Sequence, residues 1–487
     1  MTKKLFALFL SVCVAFSVSG CRNKKNQQEE HIFEGEISIY AYKDTTLNPL
    51  VTKYHTNAMT YSVIYSPLIK INDDLSTENV LLESFRRSDD GLSFTFKLGN
   101  HKFSDGSDVT AQNVITSLNL IKENPESCFY QVFDYISSYK ALSDKEFSIT
   151  LSYPNTNIVT LLNFPVVKDE NSNIGSGPFK VSKIADETVT LTANKLSPTI
   201  PNLKTVMVKI YPDKEVCEDA FSNNETDLIN TDINNLAQFS SKKGVSNYNY
   251  VSDDFTFLGF NCENELFADI NVKKAIAVLI DKDKLCQSIL VGHALKTSTA
   301  FKAQSIYSHD FDYEINPDKA LEYLTLSEYD FSDISFSILV NSENLSVKNT
   351  ADFIANTLKE HGMNVTCISL DRASYVSRIN SGDFDAFVGE ITMPSNGDIS
   401  FLLSEGNMFN FTSGAVNNAL FSFNAKTDQQ SKKQIAGELN KAYLNTLPFI
   451  SLYYKSNMLL VSDKYTASSN ITSCDIFEEI NEWKIKK

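Results

Sequence analysis

Six histidines, His31, His55, His101, His293, His309 and His361, are the residues of this 487-residue chain best suited to hold a metal or move a proton near neutral pH. None stands at ligand spacing from another and HExxH is missing, so no metal centre and no cofactor is predicted. GxSxG is also missing, and Gly175-Ser176-Gly177 lacks the Gly-Lys-Ser/Thr that would complete a phosphate loop. Asp and Glu total 60, and pairs of carboxylates do acid and base work in hydrolases. In a chain this acidic such pairs arise by chance and sit solvated. The residues therefore predict a protein that is not an enzyme.

Beyond Cys13 and Cys21, six cysteines remain: Cys128, Cys217, Cys262, Cys286, Cys367 and Cys474. No two form CxxC. Outside the cytoplasm they could pair, with a connectivity that spacing does not define, but a body this large needs no staples and buried free thiols are the favoured reading. The chemistry of Cys21 is more specific. Lys3-Lys4, an apolar run from Leu5 to Val18 and the tetrad Val18-Ser19-Gly20-Cys21 read as an export signal ending in a site that resembles the bacterial lipobox. Small residues before the cysteine let a transferase attach diacylglycerol to the thiol before the peptidase cuts. The apolar run is shorter than the ~20 residues of a spanning helix, which argues against an uncleaved anchor. Residues 1–20 are thus predicted to be a signal peptide and 21–35 a flexible tether, with Cys21 lipidated and the chain held at the outer side of a bacterial cell membrane.

A net charge of −16 repels phosphate, and the one dense basic cluster, Arg22 to Lys25, lies beside the processing site, so nucleic acid is excluded as a partner. The length calls for two or three domains. Ile37 to Tyr42 alternates as a first strand. Strands are also expected over Phe147 to Tyr153, Thr188 to Asn194, Thr205 to Tyr211 and Thr226 to Thr231, with a short helix at Glu215 to Ser222. Phe255 to Asn261 is the expected crossing strand between lobes. Val272, Ala275, Ile276, Leu279 and Ile280 fall on one helical face, and a second helix restarts at Asp281 and ends at Gly292. Ser335 to Asn341, a helix over Ala351 to His361, and Val365 to Leu370 form a strand-helix-strand unit, which implies a right-handed parallel crossover. Asp383 to Phe387 supplies the next strand. Ligands of open α/β sheets bind beyond the carboxyl ends of strands, here Asn341 and Glu390 to Pro394.

Residues 84–114 carry a denser signal. Asp89-Asp90-Gly91 is a turn, Leu92 to Leu98 an alternating strand, Ser104-Asp105-Gly106 a second turn, and Thr110 a cap for a helix opening with Ala111-Gln112-Asn113. In this order they resemble the family 5 solute-binding proteins of ABC importers, whose signature runs Asp-Gly, aromatic strand, Phe-Ser-Asp-Gly, Thr-Ala-x-Asp-Val; Asn113 replaces the last Asp. Leu47-Asn48-Pro49, Ile174-Gly-Ser-Gly-Pro-Phe179 and Leu447-Pro448-Phe449-Ile450 extend the resemblance over nearly the whole mature chain. It implies an α/β, two-lobed periplasmic-binding-protein type II fold with an extra domain inserted in the first lobe. The implied boundaries are 36–60, 175–258 and 455–487 for lobe I, 61–174 for the insert and 259–454 for lobe II.

The resemblance further implies that the chain is a monomer, that hinge closure traps a peptide or other small solute, and that the closed form delivers it to permease subunits with cytoplasmic ATPases. The cleft would be lined by Lys43, Asp44 and Thr45, by Phe129 and Tyr130 from the insert, by Asn341, and by Glu390, Ile391, Thr392, Met393 and Pro394. Two departures bear on the ligand. Ile391 stands where the oligopeptide binders have Trp, and Pro394 where they have the Asp that holds the peptide amino terminus. Either Glu390 or Asp398 then supplies that charge, or the ligand is not an ordinary peptide but a metal chelate or sugar. A receptor that senses a signal peptide without transporting it is the other alternative.

Overall fold

Alternation over residues 92–98 puts Phe94, Phe96 and Leu98 on one face, and all three are buried. In the computed structural model the strand is Ser93–Leu98, paired with Leu82–Arg87 on one side and Glu146–Leu151 on the other, with Ile136–Ala141 outermost. The turns before and after it place Gly91 at φ 72° and Gly106 at φ 91°, the left-handed region that these Asp-Gly pairs predict. Asn113 Oδ1 accepts from the Thr110 amide at 2.9 Å and from its hydroxyl at 2.7 Å, closing the start of the Ala111–Glu123 helix. Its Nδ2 also donates to the Lys168 carbonyl at 2.7 Å, a bond that an Asp could not make.

The structure describes residues 33–486, apart from 73, 172, 233–237, 240, 309–314, 395, 396, 427 and 428. The expectations for the signal peptide, for the tether up to residue 32, for lipidation of Cys21, and for His31 and His309 lie outside the described residues. Residues Glu34–Lys487 form one compact unit. No described helix is long and apolar enough to cross a membrane.

The four-stranded meander lies in the chain between two strands of another sheet. Glu36–Tyr42 runs parallel to Thr205–Tyr211, which continues antiparallel into Thr188–Ala193 and Phe179–Ala185. One apolar core joins both sheets and reaches Trp483, which is fully buried.

A seven-stranded sheet runs through the second lobe and into the first, in the order Leu228–Thr231, Phe449–Ser462, Val245–Phe260, Ala386–Thr392, Ser335–Asn341, Asn364–Leu370, with Ala294–Lys296 added to Phe449–Ser462. The parallel crossover is present: Ser335–Asn341 pairs in parallel with Asn364–Leu370 through the Leu345–Glu360 helix. That helix begins six residues before the predicted Ala351 because Asn344 caps it, its Oδ1 accepting from Val347 N at 3.3 Å, and Val347 is already buried one turn ahead of Ala351. Ile338 and Val340 pack with Leu258 and Phe260 on one side of the sheet, whereas Leu339 and Phe387 pack with Phe255 and Phe257 on the other. Burial on both faces explains why Ile338-Leu339-Val340 is an unbroken apolar run.

The predicted crossing strand Phe255 to Asn261 is the last part of a 16-residue strand, Val245–Phe260. The 14-residue strand Phe449–Ser462 lies antiparallel to it. Tyr250 and Met458–Val461 belong to the first core, Leu258, Phe260, Ile450 and Leu452 to the second, so this pair spans both lobes. Its ladder shifts register between Val251 and Phe255, where a bulge interrupts the pairing. The fold is thus a two-lobed α/β architecture.

Candidate functional site

A cavity of about 570 Å³ opens where the two long strands leave the first lobe. Most of its wall comes from the His55–Ser62 helix and the chain to Ile71, Cys128 to Gln131, Leu161 to Pro165, Asp253 on a long strand, Thr392 to Pro394, and residues 473–481. Thr392, Met393 and Pro394 reach it because they continue the Ala386–Thr392 strand past its carboxyl end. That position agrees with the strand-end rule.

Of the residues expected to bind, Phe129, Thr392, Met393 and Pro394 line this cavity. Lys43, Asp44, Thr45, Tyr130, Asn341, Glu390 and Ile391 do not. Asp44 accepts from the Thr45 amide at 2.6 Å and from the Thr52 hydroxyl at 2.5 Å, and Tyr130 packs on Phe133 at 5.7 Å. The Asn341 side chain accepts from Glu343 N at 3.1 Å, ordering the loop after its strand. Glu390 is bonded by Lys455 at 2.6 Å and Asn344 at 2.9 Å, so its charge is already met. Asp398 accepts from the Tyr135 hydroxyl and from Ser400 N, which joins the insert to the second lobe. Close by, Asn157 donates to Asn424 Oδ1 at 3.1 Å and accepts from Lys432 at 2.9 Å, and burial pulls the Lys432 ammonium down to about 8.

The charged groups at the cavity are ones that sequence reasoning missed. Asp253 Oδ1 accepts from Lys302 at 2.9 Å, Lys302 also donates to Ser473 Oγ at 3.1 Å, and the Asp253 carbonyl accepts from Met393 N at 2.8 Å. Lys302 is buried and Asp253 half-buried, with side-chain exposures of 7% and 16%. Lys70 pairs with Glu478 at 2.7 Å. Asp475 accepts from Phe477 N at 2.8 Å; burial first, then the neighbouring Glu478, push its carboxyl up to about 7. Burial lowers His55, which Asp253 opposes. The Cys474 thiol is raised to about 12 by burial, and the six described cysteines are free. A second cavity of about 580 Å³, lined by Asn72, Asn249, Gln304 and Thr472 among others, shares Lys70 and Glu479 with the first. Among the described residues no group of three His, Cys, Asp or Glu side chains is placed to hold a metal.

Two α/β lobes joined by paired strands, with a cavity walled from both, define a solute-binding protein. The bacterial extracellular solute-binding proteins, family 5 (middle), match residues 77–409, more than half of the chain, and the chain belongs to that family. The oligopeptide-binding protein AppA of Bacillus subtilis (strain 168) is 24% identical over 541 residues, covering 99% of this chain and 97% of its own. Two solved structures share the fold. HbpA2 from Haemophilus parasuis superposes with a TM-score of 0.81 at 19% identity, covering 93% of this chain and 100% of its own. The unliganded open form of MppA, a periplasmic murein tripeptide binding protein, also gives 0.81, at 17% identity and with 92% and 97% covered. Members are extracytoplasmic substrate-binding components of ABC importers and are not enzymes.

Proposed function

We propose that this chain is a lipid-anchored peptide receptor of an ABC importer, which closes its lobes on a peptide and delivers it, as a monomer, to membrane permease subunits. The cavity carries this reading. Its volume falls in the usual range for a small-molecule site, and both lobes wall it, so a guest there gains contacts that a separated pair of lobes would lose. Such differential contact is what drives hinge closure. The bulge at Val251 to Phe255 lies on the paired strands between the lobes, where a change of backbone angle would swing one against the other. We place the lobes at 36–60, 175–258 and 455–487, and at 259–454, with the insert at 61–174. The relative AppA, named for oligopeptide binding and covered over 97% of its length, supports a peptide as the ligand.

Thermal shift with di- to octapeptides is expected to show stabilisation that grows with ligand concentration. Trp483 gives a second readout. It is the only tryptophan, and its indole donates to the carbonyl of Glu478, whose side chain lines the cavity, so occupancy should shift its emission. A flat melting temperature and unchanged emission across the library would discard peptides as ligands.

Anchoring rests on Val18-Ser19-Gly20-Cys21. The mature amino terminus is expected to be Cys21 bearing a diacylglyceryl thioether. An unmodified Cys21, or a chain that keeps residues 1–20, found by mass spectrometry of membrane-extracted protein, would refute it.

A further inference from the structure

We infer that the insert latches onto the second lobe through groups that stand outside the cavity, so that the closed form is held in part by the protein itself and not by its guest alone. This rests on the lobes moving about the paired strands, as proposed above, and adds a device that sets how often they part.

The second lobe offers the carboxyl end of one helix. Gly414–Ala425 ends, as any helix does, in main-chain carbonyls with no donor of its own. The insert supplies the donors: Arg87 Nη1 donates to the Ala425 carbonyl at 2.7 Å, and the Thr156 hydroxyl lies 2.5 Å from the Lys426 carbonyl and 3.0 Å from that of Asn424, close enough to donate to either. A guanidinium placed here also meets the negative pole of the helix dipole. Asn155 Oδ1 accepts from Asn157 N at 2.8 Å and so orders the short turn that carries Thr156 and Asn157.

Side chains continue the seam. Asn157 Nδ2 donates to Asn424 Oδ1 at 3.1 Å, Lys432 donates to Asn157 Oδ1 at 2.9 Å, and the Tyr135 hydroxyl donates to Asp398. Asn424 Nδ2 donates in turn to Ser400 Oγ at 3.1 Å, which fixes its amide with the oxygen toward the insert.

This contact is polar where the permanent ones are apolar. Buried apolar side chains of residues 87–157 belong to the core shared with the first lobe, and those of 398–432 to a different core with Phe255 and Phe449; among the described residues neither range contributes to the other's core. Hydrogen bonds can be exchanged for bonds to water at small net cost, whereas parting a shared apolar core exposes it. The insert is thus packed into one lobe and only bonded to the other. Lys432 adds an opposing cost: burial pulls its ammonium down to about 8, while Asp398 acts in the other direction, so the latch holds a cation out of water that release would return to it.

None of these side chains lines either cavity. A bond that a ligand does not touch contributes the same closing free energy whatever the ligand is, so it shifts the balance of open and closed forms without selecting among guests.

Thiol labelling of the protein without peptide tests the latch. Cys474 lines the cavity and is shielded by burial, while Cys217 and Cys286 lie in the cores of the first and second lobes. Arg87→Ala combined with Thr156→Val is expected to speed maleimide labelling of Cys474 by about tenfold, as loss of a charged hydrogen bond implies, to leave Cys217 and Cys286 protected, and to enlarge the radius of gyration in solution scattering. Thr156→Val alone, which removes a single hydroxyl, should give the same pattern at smaller amplitude. An unchanged rate at Cys474 with an unchanged scattering profile overturns the latch. Equal acceleration at all three thiols in both variants overturns it too, because that reports loosening of the whole fold and not parting of the lobes. Thermal shift with the peptides named above scores the receptor reading by itself: peptides that stabilise the protein while the labelling test fails leave that reading standing without the latch.

Discussion

Gly175→Ala is expected to destabilise the protein by roughly 3 kcal/mol or more, and to lower soluble yield, because the added methyl has nowhere to go. A Cβ built at Gly175 would lie 1.9 Å from the Ile64 carbonyl oxygen, and one at Gly177 would lie 2.7 Å from the Ile64 carbonyl carbon and the Tyr65 amide. Both obstacles are backbone, so no rotamer change relieves them. The close approach has a structural purpose, since Gly177 N donates to the Ile64 carbonyl at 2.9 Å and Phe179 N to the Val63 carbonyl at 3.2 Å. Val63 and Tyr65 line the cavity from this stretch, so the glycines set the position of one wall. Gly106→Ala is the control. It has a positive φ but open space around its Cβ, so it should cost about 1–2 kcal/mol. Similar thermal unfolding midpoints for the two variants would contradict this account.

Lys302→Ala should cost about 3–5 kcal/mol, because it leaves Asp253 charged beside the cavity without its counter-ion. Lys302 ties the long strand to the C-terminal segment through Asp253 and Ser473, so its loss removes a cross-link as well as a charge. The double variant Lys302→Ala with Asp253→Ala should recover much of the loss, because no unpaired charge is then buried. Urea unfolding of the two single variants and the double variant completes a cycle. Strict additivity would mean that the 2.9 Å contact does not couple the two residues.

Much of the fold was legible from local patterns. Gly91 and Gly106 take positive φ where Asp-Gly pairs indicated turns, Thr110 opens its helix, and the strand-helix-strand unit from Ser335 to Leu370 is parallel. Each depends on residues a few positions apart. The long partner strand Phe449–Ser462 escaped notice because it is buried through two different cores and shows no simple alternation. The sequence denies Gly175 and Gly177 a phosphate role, and the nearness of the Ile64 backbone is what requires them.

The candidate site was less legible. Asn341 and Glu390 were chosen because they end strands, yet Glu390 is paired with Lys455, and the cavity begins only at Thr392. Asp253 and Lys302 are 49 positions apart, and Ser473 is 171 beyond Lys302. No periodicity links residues so distant.

The amino-acid order alone determined what nearest neighbours decide: backbone turns, helix starts, strand alternation, and the family signature in residues 84–114. Only the tertiary structure decided which carboxylates face a common space and which cations neutralise them. Electrostatic pairing depends on distance through space, and the meeting of distant chain segments brings Lys70, Asp253 and Asp475 to one cavity, with Lys302 paired to Asp253.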